Sequence, residues 1–327
     1  MSGAMARFTR RSLAANRVRT LVTVAGVALA AALLTAVLTT YTSLQSMLVR
    51  AEEATSGTWM AMVQQPERGP LQAQAEAALA AGEIGEACYA QDVGFGRLTD
   101  EQRAVLGQYL PLIDVSGNVG ELCALRAREG RLPEAAGEVM LSDMWRTRMG
   151  VEVGDELTLP VGARRAVAAD PDVDTMSGGS VDASSRYGTT RLAAGADDWV
   201  IEDGTLLDSS IGYLDPAADG GAFTEELVDV AERTYTVVGF YDGWSYLAMN
   251  GVGQAAFTAG DPQAAGMTQA FLTVPGAQST AEVSARVEEA FPTGHVTLHT
   301  GLLRYLGIRS GGAIWDTFFG IAAILAV

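Results

Sequence analysis

Few residues in this chain have the type and spacing to do chemistry. Asp170, Asp172 and Asp174 alternate, with Asp182 further on. Alternating carboxylates of this kind ligate Ca²⁺ in an EF-hand loop. Here Thr175 stands where such a loop needs glycine, and no glutamate closes it at the twelfth position. The run therefore reads as a solvated acidic loop. His295 and His299 are four apart, a spacing that puts two imidazoles on one helical face for zinc. In HVTLHT the residues between them are β-branched or leucine, and the glutamate of an H-E-x-x-H motif is missing. They read as ordinary strand residues. These are the only two histidines, so Ser–His or Cys–His nucleophilic pairs have little to draw on, and no G-x-S-x-G is present. All 22 basic residues are arginine, which excludes a P-loop lysine and a Schiff-base lysine from this chain. No catalytic, cofactor-binding or metal-binding residue is assigned, and no cofactor is expected. If ATP drives this protein, another polypeptide or a fused segment must bind it.

Cys88 and Cys123 remain. In an oxidising compartment a disulfide between them would stabilise the fold by roughly 3–4 kcal/mol. The other reading is two separate buried thiols, and the sequence leaves both open.

The elements that would position these residues follow from charge and hydropathy. The formal net charge is −17, yet the mean hydropathy is +0.16. That combination points to apolar segments joined to an acidic, water-exposed domain. Residues 1–20 carry Arg7, Arg10, Arg11, Arg17 and Arg19 and no acid, whereas residues 44–312 carry 38 of the 39 acids against 17 arginines. An acidic surface of this kind repels nucleic acid, so nucleic-acid binding is set aside.

No charge occurs from Thr20 to Val49, and the apolar heart is Leu21–Leu38. That meets the roughly 20 residues needed to span a bilayer. It also exceeds the h-region of a signal peptide, and no clean cleavage site follows. The preceding arginines place the N-terminus in the cytoplasm. Met5, Phe8 and Leu13 fall at loose helical spacing, so residues 1–19 read either as a short surface helix or as a simple basic flank. Gly26 and alanines 28, 30, 31, 32 and 36 give the span a small-residue face for packing against other helices. A second apolar run covers 313–327, with Trp315, Phe318 and Phe319 as an aromatic belt. It reads as the start of a second transmembrane helix.

The expected organisation is a cytoplasmic basic segment (1–19), a transmembrane helix (20–43) with a stalk to about 55, a domain at 56–312, and the second helix from 313. The fold class is α+β, with a two-part mixed α/β domain. Residues 69–82 read as a helix ending at Gly82, and ACYAQDVGFGRL and YLPLIDVSG read as strands. STAEVSARVEEAF opens with a capping serine, Ser279, three residues before Glu282. It lies between the strand-like runs TQAFLTV and HVTLHT. A strand–helix–strand unit therefore closes the domain and a helix–strand–strand unit opens it, and the two are expected to pair in one membrane-proximal sheet. A distal, mostly β subdomain is expected at about 116–265, with residues 162–232 as a long acidic, Gly/Ser-rich insertion. Asp197-Asp198-Trp199 and Phe240-Tyr241-Asp242-Gly243-Trp244 could present aromatic rings to a partner or lie in core and turns.

The most specific stretch is 128–159. Gly130-Arg131-Leu132-Pro133 is a turn. Gly137-Glu138-Val139-Met140-Leu141-Ser142 reads as a strand entering a helix N-cap. Gly150 ends that helix in the left-handed position, and Gly154-Asp155 turns into the strand ELTL. This resembles the extracytoplasmic domain of the MacB/FtsX-like family of ABC-transporter permeases. The family pattern is G-R, then G-E-V, a short helix, and L-G-x-x-V-G-D before a strand. RTYTVVGFYDG, with Gly239, is similar to the family's later V-V-G-F strand. The basic start and first span resemble the family's first helix.

The resemblance implies a permease subunit in the cell membrane with its main domain outside the cytoplasm. It implies a partner ABC ATPase subunit, a second permease subunit forming a homo- or heterodimer, and contact with membrane lipid. ATP hydrolysis would then be coupled to movement of the outer domain, as mechanotransmission, for export or extraction of a substrate. On this reading Gly130, Arg131, Gly137, Glu138, Gly150, Gly154, Asp155 and Gly239 are a structural motif, and the chain itself is not an enzyme. The alternative is a membrane-anchored sensor or ligand-binding domain of a signalling protein.

Overall fold

The computed structural model describes residues 17–168, 181–182, 200–201, 203–209, 211–215, 223–242, 247 and 252–308. The second apolar run, the acidic triplet at 170–174, residues 197–199 and residues 243–246 lie outside the described residues. So do residues 1–16. The chain divides into two compact units, residues 1–51 and 52–327.

Helix α1 is Arg17–Ser56, 40 residues long. At 1.5 Å per residue it measures about 60 Å, roughly twice the hydrocarbon core of a bilayer. Leu21, Val24, Leu33 and Leu38 are all exposed. The hydroxyls of Thr23, Thr35 and Thr40 donate to the carbonyls of Arg19, Ala31 and Ala36. They are thereby satisfied within the helix, as lipid requires. The helix is long and apolar enough to cross a membrane, the property of a membrane anchor.

The second unit is mixed α/β. Its elements, in chain order, begin with β1 (Ala61–Gln65), α2 (Arg68–Ala81), β2 (Glu86–Arg97), α3 (Asp100–Leu106), β3 (Tyr109–Gly117) and α4 (Val119–Leu122). Then come β4 (Ala127–Gly130), β5 (Glu138–Ser142), α5 (Asp143–Met149), β6 (Glu156–Ala168), β7 (Val181–Asp182), β8 (Val200–Ile201) and β9 (Leu206–Leu207). The last are β10 (Phe223–Tyr241), β11 (Ala256–Thr258), β12 (Thr268–Thr273), α6 (Thr280–Ala290), β13 (His295–Leu298) and α7 (Thr300–Tyr305).

Four strands make an open layer in the order β13-β1-β12-β2, every pair antiparallel. This is the split β-α-β-β-α-β arrangement, built from β1–α2–β2 and β12–α6–β13. On one face α2 buries Leu71, Ala75 and Ala78, and α6 buries Val283 and Val287, against Ala61, Val63, Ala270 and Leu272. Each helix ends or begins as its sequence predicts. Gly82 caps α2 at φ 73°, and the Ser279 side chain accepts from the Glu282 amide at 3.1 Å. The opposite face carries Met62, Cys88, Ala90 and Phe271, covered by Trp59 and by Val119 and Leu122 of α4. The opening and closing pieces thus pair in one sheet, through a strand, β1, that the sequence reading lacked.

The same sheet continues β2-β3-β11-β5-β10-β6 and returns to β2 through Phe95↔Gly162 and Gly96↔Val161. Six strands therefore close on themselves as a barrel. All six contribute to one core: Val93, Leu110, Leu112, Val139, Leu141, Leu159, Val161, Tyr235, Val237 and Ala256, with Leu106 of α3 and Trp145 of α5. Glycine makes the closing seam possible. A Cβ on Gly96 would stand 2.0 Å from Leu159 Cδ1, and one on Gly162 would stand 2.5 Å from the Val228 carbonyl. A side chain on Gly96 would crowd β6 from β2, and one on Gly162 would crowd β10 from β6.

Strand β2 serves both parts. Residues 86–91 pair with β12, residues 95–96 pair with β6, and a register shift between Asp92 and Gly94 separates the two stretches. Such a bulge bends a strand and increases its twist. Because β2 and β3 both enter the barrel, a cut at residue 116 does not separate the two parts. Both ends of the 162–232 stretch are strands, not loop: residues 162–168 complete β6, and 223–232 begin β10 opposite them.

Candidate functional site

Both stretches of chain that bound the α/β part meet at one point. After Ser56 the chain turns at Gly57, φ +90°, where a Cβ would lie 1.9 Å from the Leu122 carbonyl oxygen. Only glycine fits both the dihedral and the space. The next two amides continue this contact. Thr58 N donates to the Glu121 carbonyl at 3.1 Å and Trp59 N to the Leu122 carbonyl at 3.2 Å. Trp59 is buried. Its indole N–H donates to the Ser56 carbonyl at 3.0 Å. Its ring meets Phe271 edge-on at 5.5 Å and stacks on His299 at 4.3 Å.

His299 is the N-cap residue of α7 and is 7 % exposed. Its backbone amide donates to the Met60 carbonyl and its own carbonyl accepts from Leu303 N, both at 3.0 Å. Nδ1 lies 2.9 Å from the Trp59 carbonyl oxygen, and Nε2 lies 3.1 Å from Glu52 Oε1. Two oxygens thus face the ring. Gly301 leaves room for this carboxylate, since a Cβ there would stand 3.0 Å from Glu52 Oε1. One imidazole therefore ties the last turn of α1 to the first turn of α7.

Sequence reasoning missed this role. It put His299 in a strand, whereas β13 ends at Leu298 and His299 starts a helix. The available signal was the T-G-L-L-R-Y that follows, a short amphipathic turn needing a cap. His295 does begin β13, opposite Gln64.

The predicted motif residues gather elsewhere, around the end of β10. Gly130 pairs with Gly239, and Arg131 N donates to the Val238 carbonyl at 3.0 Å. A Cβ on Gly239 would lie 2.4 Å from the Arg131 carbonyl oxygen. The Gly137 carbonyl accepts from Thr236 N, and the Asp155 carbonyl accepts from Val237 N, both at 2.8 Å. Gly154 N donates to the Val237 carbonyl at 2.8 Å. Asp155 Oδ2 caps its own turn by accepting from Glu152 N at 2.9 Å. Gly150 caps α5 at φ 71°. Arg131 holds Glu138 by two hydrogen bonds, one of 2.8 Å to Oε2 and a shorter one to Oε1. That bonding, helped by the Glu134 amide, holds the Glu138 carboxyl down at about 2. All eight residues thus shape or brace the edge of the barrel.

A third polar cluster holds residues 208, 209, 211, 212 and 214. Arg164 is fully buried and uses all five N–H groups. They bond both oxygens of Glu225 at 2.9 and 2.7 Å and the carbonyls of Asp208, Ile211 and Gly212 at 2.8–3.1 Å. Its guanidinium lies 5.0 Å from the Phe95 ring centre. Asp92, at the bulge, accepts from the Ser209 amide at 2.8 Å and the Ser209 hydroxyl at 2.6 Å. Burial, and then the nearby Asp208 carboxylate, push Asp92 up to about 7, against those two bonds.

Cys88 and Cys123 come together in the core beneath the junction, with their sulfurs 3.6 Å apart. Phe240 and Tyr241 are buried, so these rings serve the core. Among the described residues, no group of three or more His, Cys, Asp or Glu side chains is arranged to hold a metal ion. No protein-family model matches this chain, and no curated protein does.

Proposed function

We propose that this chain is a permease subunit of an ABC transporter of the mechanotransmission type. Its N-terminus lies in the cytoplasm and its α/β part outside. The open four-stranded layer would be membrane-proximal and the barrel distal. A partner ATPase would bind and hydrolyse ATP, and a second permease subunit, identical or not, would complete the dimer. Movement of α1 would enter the outer domain at Gly57 and Trp59, while His299 would link it to the segment leading toward the second span. The observation carrying this reading is the Glu52–His299–Trp59 cluster. It joins the end of a 40-residue apolar helix to the last helix of the α/β part at a single buried ring.

The test is purification of the full-length protein from its native membrane, with Glu52→Gln as the probe of coupling. A stoichiometric ATPase is expected in the preparation. Its hydrolysis should change severalfold in the variant while the circular dichroism stays that of the wild type. If no ATPase accompanies the protein or is fused to it, the permease reading fails and a sensor domain takes its place.

A further inference from the structure

The two cysteines lie in different elements, 35 residues apart in sequence. Cys88 is in the middle of β2's pairing with β12, opposite Phe271. Cys123 is the residue that ends α4, and its amide donates to the Val119 carbonyl at 3.1 Å. Both have zero exposure and share one core with Trp59 and Leu122. The two thiols stand with their sulfurs 3.6 Å apart, van der Waals contact rather than the roughly 2.0 Å of a covalent bond. Gly117, just before α4, is the β3 partner of Cys88 and takes φ +81°, and a Cβ there would stand only 3.2 Å from that of Cys88. Two cysteines among 327 residues thus meet side by side in the core.

We infer that Cys88 and Cys123 are joined as a disulfide that fastens the α4 turn to β2. This rests on the reading that the α/β part lies outside the cytoplasm, where thiols are oxidised. The reaction is exchange with the disulfide of a dithiol oxidase. One cysteine thiolate attacks that disulfide and forms a mixed disulfide. The second thiolate then displaces the oxidase sulfur. The two protons lost by the cysteine thiols are taken up by the oxidase sulfurs together with two electrons, so the oxidase leaves as its dithiol. Burial pushes the Cys123 thiol up, so exchange belongs to folding, before the core closes over the pair.

The bond has a mechanical place. The carbonyls of Glu121 and Leu122, adjacent to Cys123, accept the amides of Thr58 and Trp59. The acceptors that receive the end of α1 would then be covalently fixed to the centre of the open layer.

The experiment uses full-length protein from its native membrane, with thiols blocked by acid quench and alkylation in denaturant, followed by peptide mapping. A second arm places Ala77→Cys, on the exposed face of α2, in a Cys88→Ala/Cys123→Ala background, and treats intact cells with a membrane-impermeant maleimide. Expected are a linked Cys88–Cys123 peptide pair, two mass units below the dithiol, and labelling at position 77. Reductant should lower the melting temperature of the wild type by roughly 10 °C and leave the double variant unmoved. Labelling at 77 with both native cysteines recovered alkylated overturns the disulfide alone. No labelling, with both alkylated, overturns the disulfide and the proposed topology together. No labelling with the pair linked overturns the topology alone.

Discussion

The knot around Arg164 and the junction around His299 are both polar clusters in the α/β part, but they differ in how far they are shut off from water. At Arg164 five N–H groups meet five acceptors, and the guanidinium and the Glu225 carboxylate are both fully buried. Nothing there can rearrange without stranding a charge. At His299 the carboxylate partner is 28 % exposed, one contact is a ring stack, and much of the rest is backbone amide to carbonyl. That cluster can lose one bond to water and keep its shape. The comparison teaches that a fully desolvated ion pair acts as a fixed anchor, whereas a partly wet cluster is the more adaptable of the two, as the proposed permease role would need.

The largest effect should come from breaking the knot on one side. Glu225→Ala leaves Arg164 charged and buried, and should cost about 3–5 kcal/mol in urea unfolding. Arg164→Met with Glu225→Leu should recover much of that loss, because no charge is then stranded. A double variant as unstable as the single one would break the contrast with the junction.

Next in size is Gly57→Ala. The substitution strains φ and drives a methyl into the Leu122 carbonyl, so a loss of about 2–3 kcal/mol is expected. The thermal unfolding midpoint reads it. A neutral outcome would mean that the turn at Gly57 is not held rigidly.

Smallest at the acid end of the range is the effect of Asp92→Asn. Asp92 stands at about 7 in the folded chain, above the ordinary 3.8. Its carboxyl is protonated in both states below about pH 3.8. As pH rises from there to 7, the unfolded chain ionises first, so stability falls, and above 7 it levels off. Asn should remove this slope and leave the variant the more stable protein at pH 8. Chemical denaturation at pH 4, 6 and 8 checks it. Equal slopes in both proteins would show that Asp92 is solvated like a surface carboxylate.

Local structure was legible where local chemistry decides it. Gly82, Gly150 and Ser279 cap helices where the sequence places them, because a left-handed residue or a capping hydroxyl acts within one turn. The motif residues from Gly130 to Asp155 converge on β10 as one brace. Long-range pairing was not legible. β1 is AMVQQ and is buried on both faces, so it lacks the alternation that reveals a strand. Closure through Phe95↔Gly162 depends on residues far apart in sequence. Arg164-Arg165 and Glu225-Glu226 are two charged dipeptides. A period of two sends Arg164 and Glu225 inward and leaves Arg165 and Glu226 at the surface. Nothing in either dipeptide says which residue goes in.

The order of β1, β12 and β13 in the open layer also sets a timetable for assembly. All the strands of the barrel are in hand once the chain reaches Thr258. β1, near the start, has no sheet neighbour until β12 and then β13 arrive at the other end. Long-range pairing of this kind waits on loop closure. A chain emerging from its N-terminus can therefore build the barrel first, and β12 then pairs along β2 from Thr268 opposite Gln91. Only after Leu298 does His299 reach Trp59. The His299 contact is therefore set after the Glu121 and Leu122 carbonyls have received the Thr58 and Trp59 amides, so a half-made domain holds the end of α1 through α4 alone.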